Sequence, residues 1–259
     1  KWSGALPFAT GPVAGTVLYA YFDGSVSKLR VVAVQQGDDR LVLETDEVIH
    51  QAVLDPAGDA FYYLSLDPTT RSEIGIFRGS LASGKVERIV PPRVTFEATQ
   101  IASQLFTTPD GSRLVSYDCR DDDCRLRAYM APSGEPVLDV AAPGSGVYGI
   151  TDTEVVLSSV AASLGPWCRR LPCPAIAFDL ASGGQRRFGT VCSAATIVVL
   201  TDRSTLVTEA ERGPVCGQSP YRIEAIDIAS GQVVSEIPFP DSTRQLVTNS
   251  GQQAIGLPT

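Results

Sequence analysis

Histidine and methionine are almost missing from this chain of 259 residues, with one of each, His50 and Met130. A Ser-His-Asp triad would have to use His50, and nothing in the sequence marks its partners. Neither a G-x-S-x-G elbow nor an H-E-x-x-H motif occurs, so neither of those hydrolase chemistries is signalled. There is no run of 18 apolar residues, and no transmembrane helix is expected. No stretch keeps a 3.6-residue apolar spacing, so helices should be nearly absent. Basic residues are also short: 21 Lys and Arg against 29 Asp and Glu give a net charge of −8. An acidic surface repels phosphate backbones, which argues against nucleic acid as a partner. The chain opens on Lys1-Trp2-Ser3-Gly4 without an initiator Met, and reads as a mature or trimmed piece of something longer.

Cysteine is present six times, but not in a zinc pattern. Cys119 and Cys124 bracket four residues, as do Cys168 and Cys173, and Cys192 and Cys216 remain. Zinc sites favour closer C-x₂-C couples and additional histidines, and this chain has neither. Six cysteines allow fifteen pairings, and the two close couples with one leftover couple suggest 119–124, 168–173 and 192–216. Disulfides imply an oxidising, extracytoplasmic compartment.

What the chain has in abundance is a recurring glycine. Gly37, Gly84, Gly134, Gly183 and Gly231 follow one another at 47, 50, 49 and 48 residues. Four of them close similar phrases: Leu81-Ala82-Ser83-Gly84, Ala131-Pro132-Ser133-Gly134, Leu180-Ala181-Ser182-Gly183 and Ile228-Ala229-Ser230-Gly231. A fixed period of this size marks a repeat architecture. Each period reads as four short strands. A first strand ends at a turn such as Asp55-Pro56-Ala57-Gly58-Asp59 or Thr108-Pro109-Asp110-Gly111-Ser112, where Pro fixes φ and Gly frees it. The second strand is an apolar, β-branched or aromatic run at 61–64, 114–117, 155–157 and 206–208. The third alternates at 29–34, 73–77, 126–130, 175–180 and 222–228, and the Ser-Gly turn leads to a short fourth.

Four-stranded units every 40 to 50 residues are the signature of a β-propeller, in which neighbouring sheets bury each other's faces. The phrases 55–63 and 108–114, each followed by a third strand and a Ser-Gly turn, resemble the propeller repeats of TolB-like proteins. The turns at Asp152 and Asp202 lack the Pro and Gly of that pattern. The resemblance implies an architecture and not an activity. The expected fold is therefore an all-β propeller of four-stranded antiparallel blades in one domain. Repeats are expected at 16–48, 49–100, 101–145, 146–192 and 193–243. A closing strand within 244–259 then lies beside the N-terminal strands, giving five blades. In the six-blade alternative, 6–10 is a further first strand, 253–257 a further second strand, and the last blade is incomplete.

In propellers the first strand lines the channel, and the loops joining second to third and fourth to first strands open at one end. The enlarged loops fall at that end, and so do all six cysteines. A rigid rim held by disulfides would present Trp167, Arg169, Arg170, Tyr221 and Arg120 to a partner. Trp, Tyr and Arg are the types enriched in binding hot spots, and loops on a rigid scaffold are where binding resides. His50, Gln51, Gln104 and Tyr148 are expected at the channel mouth. Asp121, Asp122 and Asp123 invite calcium, but they lack alternating spacing and read as a solvated acidic turn. No metal and no cofactor is expected. The functional expectation is a non-catalytic, monomeric binding or sensor domain recognising a protein, peptide or glycan, and not an enzyme. It sits in the bacterial envelope, membrane-anchored or secreted. The alternatives are a glycan hydrolase at the channel mouth and a scaffold in an envelope assembly.

Overall fold

The computed structural model describes residues 6–10, 16–23, 25–33, 36–70, 72–92, 102–120, 123–142, 147–158, 173–191, 197–199, 205–211, 221–227, 229–230, 232–238, 243–249 and 253–258. Among these, every regular element is a β-strand, as the missing 3.6-residue spacing predicts. The first sheet holds β1 (Leu6–Thr10), β2 (Thr16–Phe22), β3 (Ser27–Ala33) and β4 (Asp38–Thr45) in that order. The second holds β5 (Val48–Leu54), β6 (Ala60–Leu66), β7 (Glu73–Ser80) and β8 (Val86–Val90). The third holds β9 (Ala102–Thr107), β10 (Arg113–Arg120), β11 (Asp123–Met130) and β12 (Pro136–Ala141). The fourth holds β13 (Val147–Ile150), β14 (Glu154–Ser158), β15 (Cys173–Asp179) and β16 (Gln185–Val191). The fifth holds β17 (Ile197–Val199), β18 (Thr205–Glu211), β19 (Tyr221–Asp227) and β20 (Val233–Pro238), and a last pair joins β21 (Thr243–Asn249) to β22 (Gln253–Pro258).

Two pairings differ from the favoured five-repeat reading. The N-terminal sheet already contains its own first strand, since Leu6 faces Ala20 and Phe8 faces Leu18. The C-terminal strand does not stand alone, because Val247 faces Ile255 in a hairpin. The chain divides into two compact units, residues 1–116 with 128–136 and residues 117–127 with 137–259.

In the first unit, β6 is buried on both faces, which explains its unbroken apolar run Ala60-Phe61-Tyr62-Tyr63-Leu64. Phe61 and Tyr63 join Leu18, Ala20 and Leu29 of the first sheet in one cluster. Tyr62 and Leu64, pointing the other way, join Leu105, Leu114 and Tyr129 of the third. Alternation along one strand thus glues a sheet to both neighbours, at about 2 kcal/mol for each fully buried large side chain. Desolvation pushes the Tyr62 hydroxyl up to about 12. In the second unit, Val155, Val156, Leu157 and Phe178 are equally buried.

The recurring Ser-Gly phrase has a precise job in each sheet. Gly84, Gly134 and Gly183 have φ of 67°, 71° and 71°, a left-handed backbone that side chains resist. Their N–H groups donate to the carbonyls of Ser80, Met130 and Asp179 at 2.9, 2.8 and 2.9 Å. The preceding serines accept through Oγ from the N–H two residues on: Ser83 from Lys85, Ser133 from Glu135, Ser182 from Gly184 and Ser230 from Gln232. Gly231 lies outside the described residues. The same turn is tied to the first turn of its own sheet, with Leu81 N–H donating to Asp59, Ala131 to Ser112 and Leu180 to Thr153.

The turn also abuts the outer strand of the preceding sheet. A methyl group on Gly84 would lie 3.6 Å from the Val42 carbonyl of β4, and one on Gly134 only 2.1 Å from the Ile89 carbonyl of β8. On Gly183 it would lie 3.0 Å from Val140 of β12. Arg40 of β4 reinforces the first of these contacts by donating to the Leu81 carbonyl at 2.6 Å. At Gly134 glycine is therefore required twice over, for its φ and for the close approach of β8, whereas at Gly84 the φ alone requires it.

Candidate functional site

Every four-stranded sheet has two dissimilar ends. One carries the first turn and the Ser-Gly turn, already committed to holding sheets together. The other carries the connection from second to third strand and the link from each sheet to the next. This second end is where the chain varies.

In the first sheet that connection is capped by Asp23, whose carboxylate accepts from Ser25 N–H, Val26 N–H and Ser25 Oγ at 3.1, 3.1 and 2.9 Å. The Val26 N–H, then Lys28 and Ser25, hold this carboxyl well below the usual range. In the second sheet Asp67 does the same with Thr69 and Thr70 N–H, and its carboxyl is lowered by the same kind of bonding. In the third sheet a covalent bond takes the place of the cap: Cys119 at the end of β10 is disulfide-bonded to Cys124 in β11. Both cysteines are buried.

The stapled tip is anchored from three strands. Tyr117 donates through its hydroxyl to the Ala142 carbonyl at 3.2 Å, and Ala142 N–H donates to Cys124 at 2.9 Å. Arg127 of β11 pairs with Asp118 of β10 at 2.8 Å and with Asp139 of β12 at 3.3 Å, and Arg125 pairs with Asp139 at 2.7 Å. Burial pushes the Asp139 carboxyl up, but the Arg125 bond and the Arg127 and Arg125 charges outweigh it and hold it low. Asp118 and Arg127 are largely covered, with side chains 16% and 12% exposed. Screening by water is weak there, so this pair acts more strongly than a surface bridge.

The first strands carry a second recurring device. Pairing shifts by one residue between Phe8 and Thr10, between Ile49 and Gln51, between Val147 and Gly149, and between Thr243 and Gln245. The extra residues are Ala9, His50, Tyr148 and Arg244. A bulge of this kind re-aims one side chain and bends the strand. Two of the expected channel-mouth residues, His50 and Tyr148, are thus bulge residues. Arg244 is the extra residue of its own first strand and was missed, because only the pairing with β22 reveals the bulge.

His50 and Gln104 are half-buried. Gln51 proves to be a strut, its side-chain oxygen accepting the N–H of Leu105 in β9. Below it, Thr107 Oγ1 donates to the Leu54 carbonyl at 3.2 Å. At the link into β5, Ser65 Oγ donates to Glu47 at 2.6 Å and Ser27 Oγ accepts from Ile49 N–H at 3.2 Å. Trp167, Arg169, Arg170, Cys168, Cys192, Cys216, Asp121 and Asp122 lie outside the described residues. So do the side chains of Arg120, Tyr148, Cys173 and Tyr221, whose backbones sit in β10, β13, β15 and β19. Asp123 is exposed at the start of β11.

No protein-family model and no curated protein matches this chain. Solved structures do. TolB from Acinetobacter baumannii is 13% identical with a TM-score of 0.59, and the match covers 92% of this chain and 55% of TolB. The β-propeller domain of the Trilobed protease from Pyrococcus furiosus is 11% identical with a TM-score of 0.61, over 95% of this chain and 74% of that one. Oligogalacturonate lyase from Vibrio parahaemolyticus is 12% identical with a TM-score of 0.65, over 96% and 70%. The chain has the β-propeller fold, and its likeness to TolB bears out the resemblance of its repeats. It spans little more than half the length of TolB.

One expectation is corrected here. The missing triad and metalloprotease motifs suggested that the chain is not an enzyme. Oligogalacturonate lyase has this fold, as the match to it shows, so the missing motifs do not exclude catalysis: a lyase needs neither a serine elbow nor a zinc helix.

Proposed function

We propose that this chain is an extracytoplasmic propeller domain that binds a protein partner through the loop end bearing the Cys119–Cys124 disulfide. The observation that carries this reading is the change of device at equivalent hairpins. Asp23 and Asp67 hold their loops by hydrogen bonds, whereas Cys119 and Cys124 hold theirs by a covalent bond. Such bonds persist in oxidising compartments, and a stiffened loop loses less freedom when a partner binds. The Asp118–Arg127–Asp139 network backs the same tip. In the sequence, the segments 158–174 and 211–221 carry Trp167, Arg169, Arg170 and Tyr221, all types that serve as anchors in protein interfaces.

The test replaces Trp167, Arg169 and Arg170 together with alanine. The variant is expected to lose at least tenfold in capture of the native partner from an envelope extract while its melting temperature stays within about 2 °C, as surface changes usually do. Capture at the original level would refute the assignment.

A further inference from the structure

The fourth strands carry a bulge of their own. Pairing with the third strand skips Val42 in β4, Ile89 in β8, Phe188 in β16 and Val234 in β20. These strands stand at the end of their sheets, and a bulge there bends the strand and spoils its edge as a template for further pairing. In the first unit the extra residue also meets the next sheet. Val42 is buried in one cluster with Leu81, the first residue of the following Ser-Gly phrase. Ile89 packs against the cluster that holds Ala131, the first residue of the phrase after that. The turn glycines close on the same two residues, Gly84 on Val42 and Gly134 on Ile89. The sizes are reciprocal. Where the bulge residue is the smaller Val42, the phrase begins with the larger Leu81, and a methyl group on Gly84 would lie 3.6 Å from the Val42 carbonyl. Where it is the larger Ile89, the phrase begins with the fully buried Ala131, and the turn comes far closer, at 2.1 Å for the same test. Large against small and small against large fill a similar space, as close packing requires.

We infer that the bulge residue of one sheet and the first residue of the next Ser-Gly phrase form a size-matched lock, Val42 with Leu81 and Ile89 with Ala131, that fixes which sheet follows which. A repeat protein needs such a device. Its Ser-Gly phrases are nearly alike, as in Leu81-Ala82-Ser83-Gly84 and Ala131-Pro132-Ser133-Gly134, and their turns share one backbone, with φ of 67° and 71°. Backbone alone therefore does not tell one seam from the other, and the distinction falls to side-chain volume. A wrong pairing of sheets is penalised either way. Ile89 against Leu81 overpacks the seam, and Val42 against Ala131 leaves a cavity. Arg40 adds a polar element to the first seam alone, through its bond to the Leu81 carbonyl. The lock is independent of the recognition assigned to the disulfide-bearing loop end, so the two stand or fall separately.

Two double-mutant cycles, read as thermal midpoints of the whole chain, test the lock. At the second seam, Ala131→Leu alone is expected to lower the midpoint by about 6 °C through overpacking. Ile89→Val alone should lower it by about 2 °C. The double variant has the residue types of the first seam and should lose less than Ala131→Leu alone. At the first seam, Leu81→Ala is expected to lower the midpoint by about 8 °C, and adding Val42→Ile to recover about 2 °C of it. Val42→Ile combined with Ala131→Leu is the control: the two belong to different seams, and their effects should add. The inference is overturned if the losses add within a seam, or if Val42→Ile relieves Ala131→Leu as well as Ile89→Val does. Where Ala131→Leu keeps the chain from folding, the first seam decides the matter by the same criterion.

Discussion

Gly134→Ala is expected to destabilise the protein by about 3 kcal/mol, against about 1 kcal/mol for Gly37→Ala. The two glycines occupy the same repeat position with nearly the same backbone, φ 71° and 66°. The conformational penalty of a side chain is therefore shared. What differs is the neighbour. A methyl group on Gly37 meets nothing within 4 Å, while one on Gly134 would lie 2.1 Å from the Ile89 carbonyl. No carbon and oxygen can stand so close, so β8 or the turn has to move. Either movement disturbs the bonds from Gly134 to Met130 and from Ala131 to Ser112. Denaturant unfolding of the two variants measures the difference directly. Equal losses would mean that the turn serves only its own sheet and does not seat the next one.

Replacing Cys119 and Cys124 together with alanine is expected to lower stability by about 2 kcal/mol, or roughly 5 °C in melting temperature. The entropy of closing so short a loop sets this figure. Single replacement should do at least as much harm, since it leaves a reactive buried thiol. The tip does not fall apart in the double variant, because Arg127 still bridges Asp118 and Asp139 and Tyr117 still reaches Ala142. Thermal unfolding with and without reductant provides the measurement. In oxidant the double variant should melt below the wild type, and reductant should cost the double variant less than it costs the wild type; an unchanged midpoint in both comparisons would remove the disulfide from the account.

The fold could be read from residues whose demands are local. Ser83, Ser133, Ser182 and Ser230 accept bonds from within their own turns, and Gly84, Gly134 and Gly183 need a left-handed backbone whatever surrounds them. Such demands survive as a period in the sequence. The alternation of Phe61 and Tyr63 against Tyr62 and Leu64 is equally local. The bulges at His50, Tyr148 and Arg244 were not legible, because a bulge is a mismatch between two strands and either strand alone looks regular. The first strand at Leu6–Thr10 was only an alternative, since Pro7 and a lack of charge make it an ambiguous strand by itself. The Arg127 network escaped notice for a related reason. Asp118, Arg127 and Asp139 lie on three different strands, and only the register of the third sheet unites them. The Cys119–Cys124 bond was legible from the short spacing of its two cysteines, whereas the strut made by Gln51 depends on a strand more than fifty residues away.

The account's central claim is that one end of these sheets is scaffold and the other is for recognition. Hydrogen exchange of the protein with its captured partner tests it most directly. Slower exchange is predicted for the β10–β11 hairpin around Cys119 and Cys124 and for the loops at 158–174 and 211–221. The Ser-Gly turns at Gly84, Gly134 and Gly183 should exchange as they do in the free protein. Slower exchange at those turns, with none at the Cys119–Cys124 hairpin, would contradict the claim.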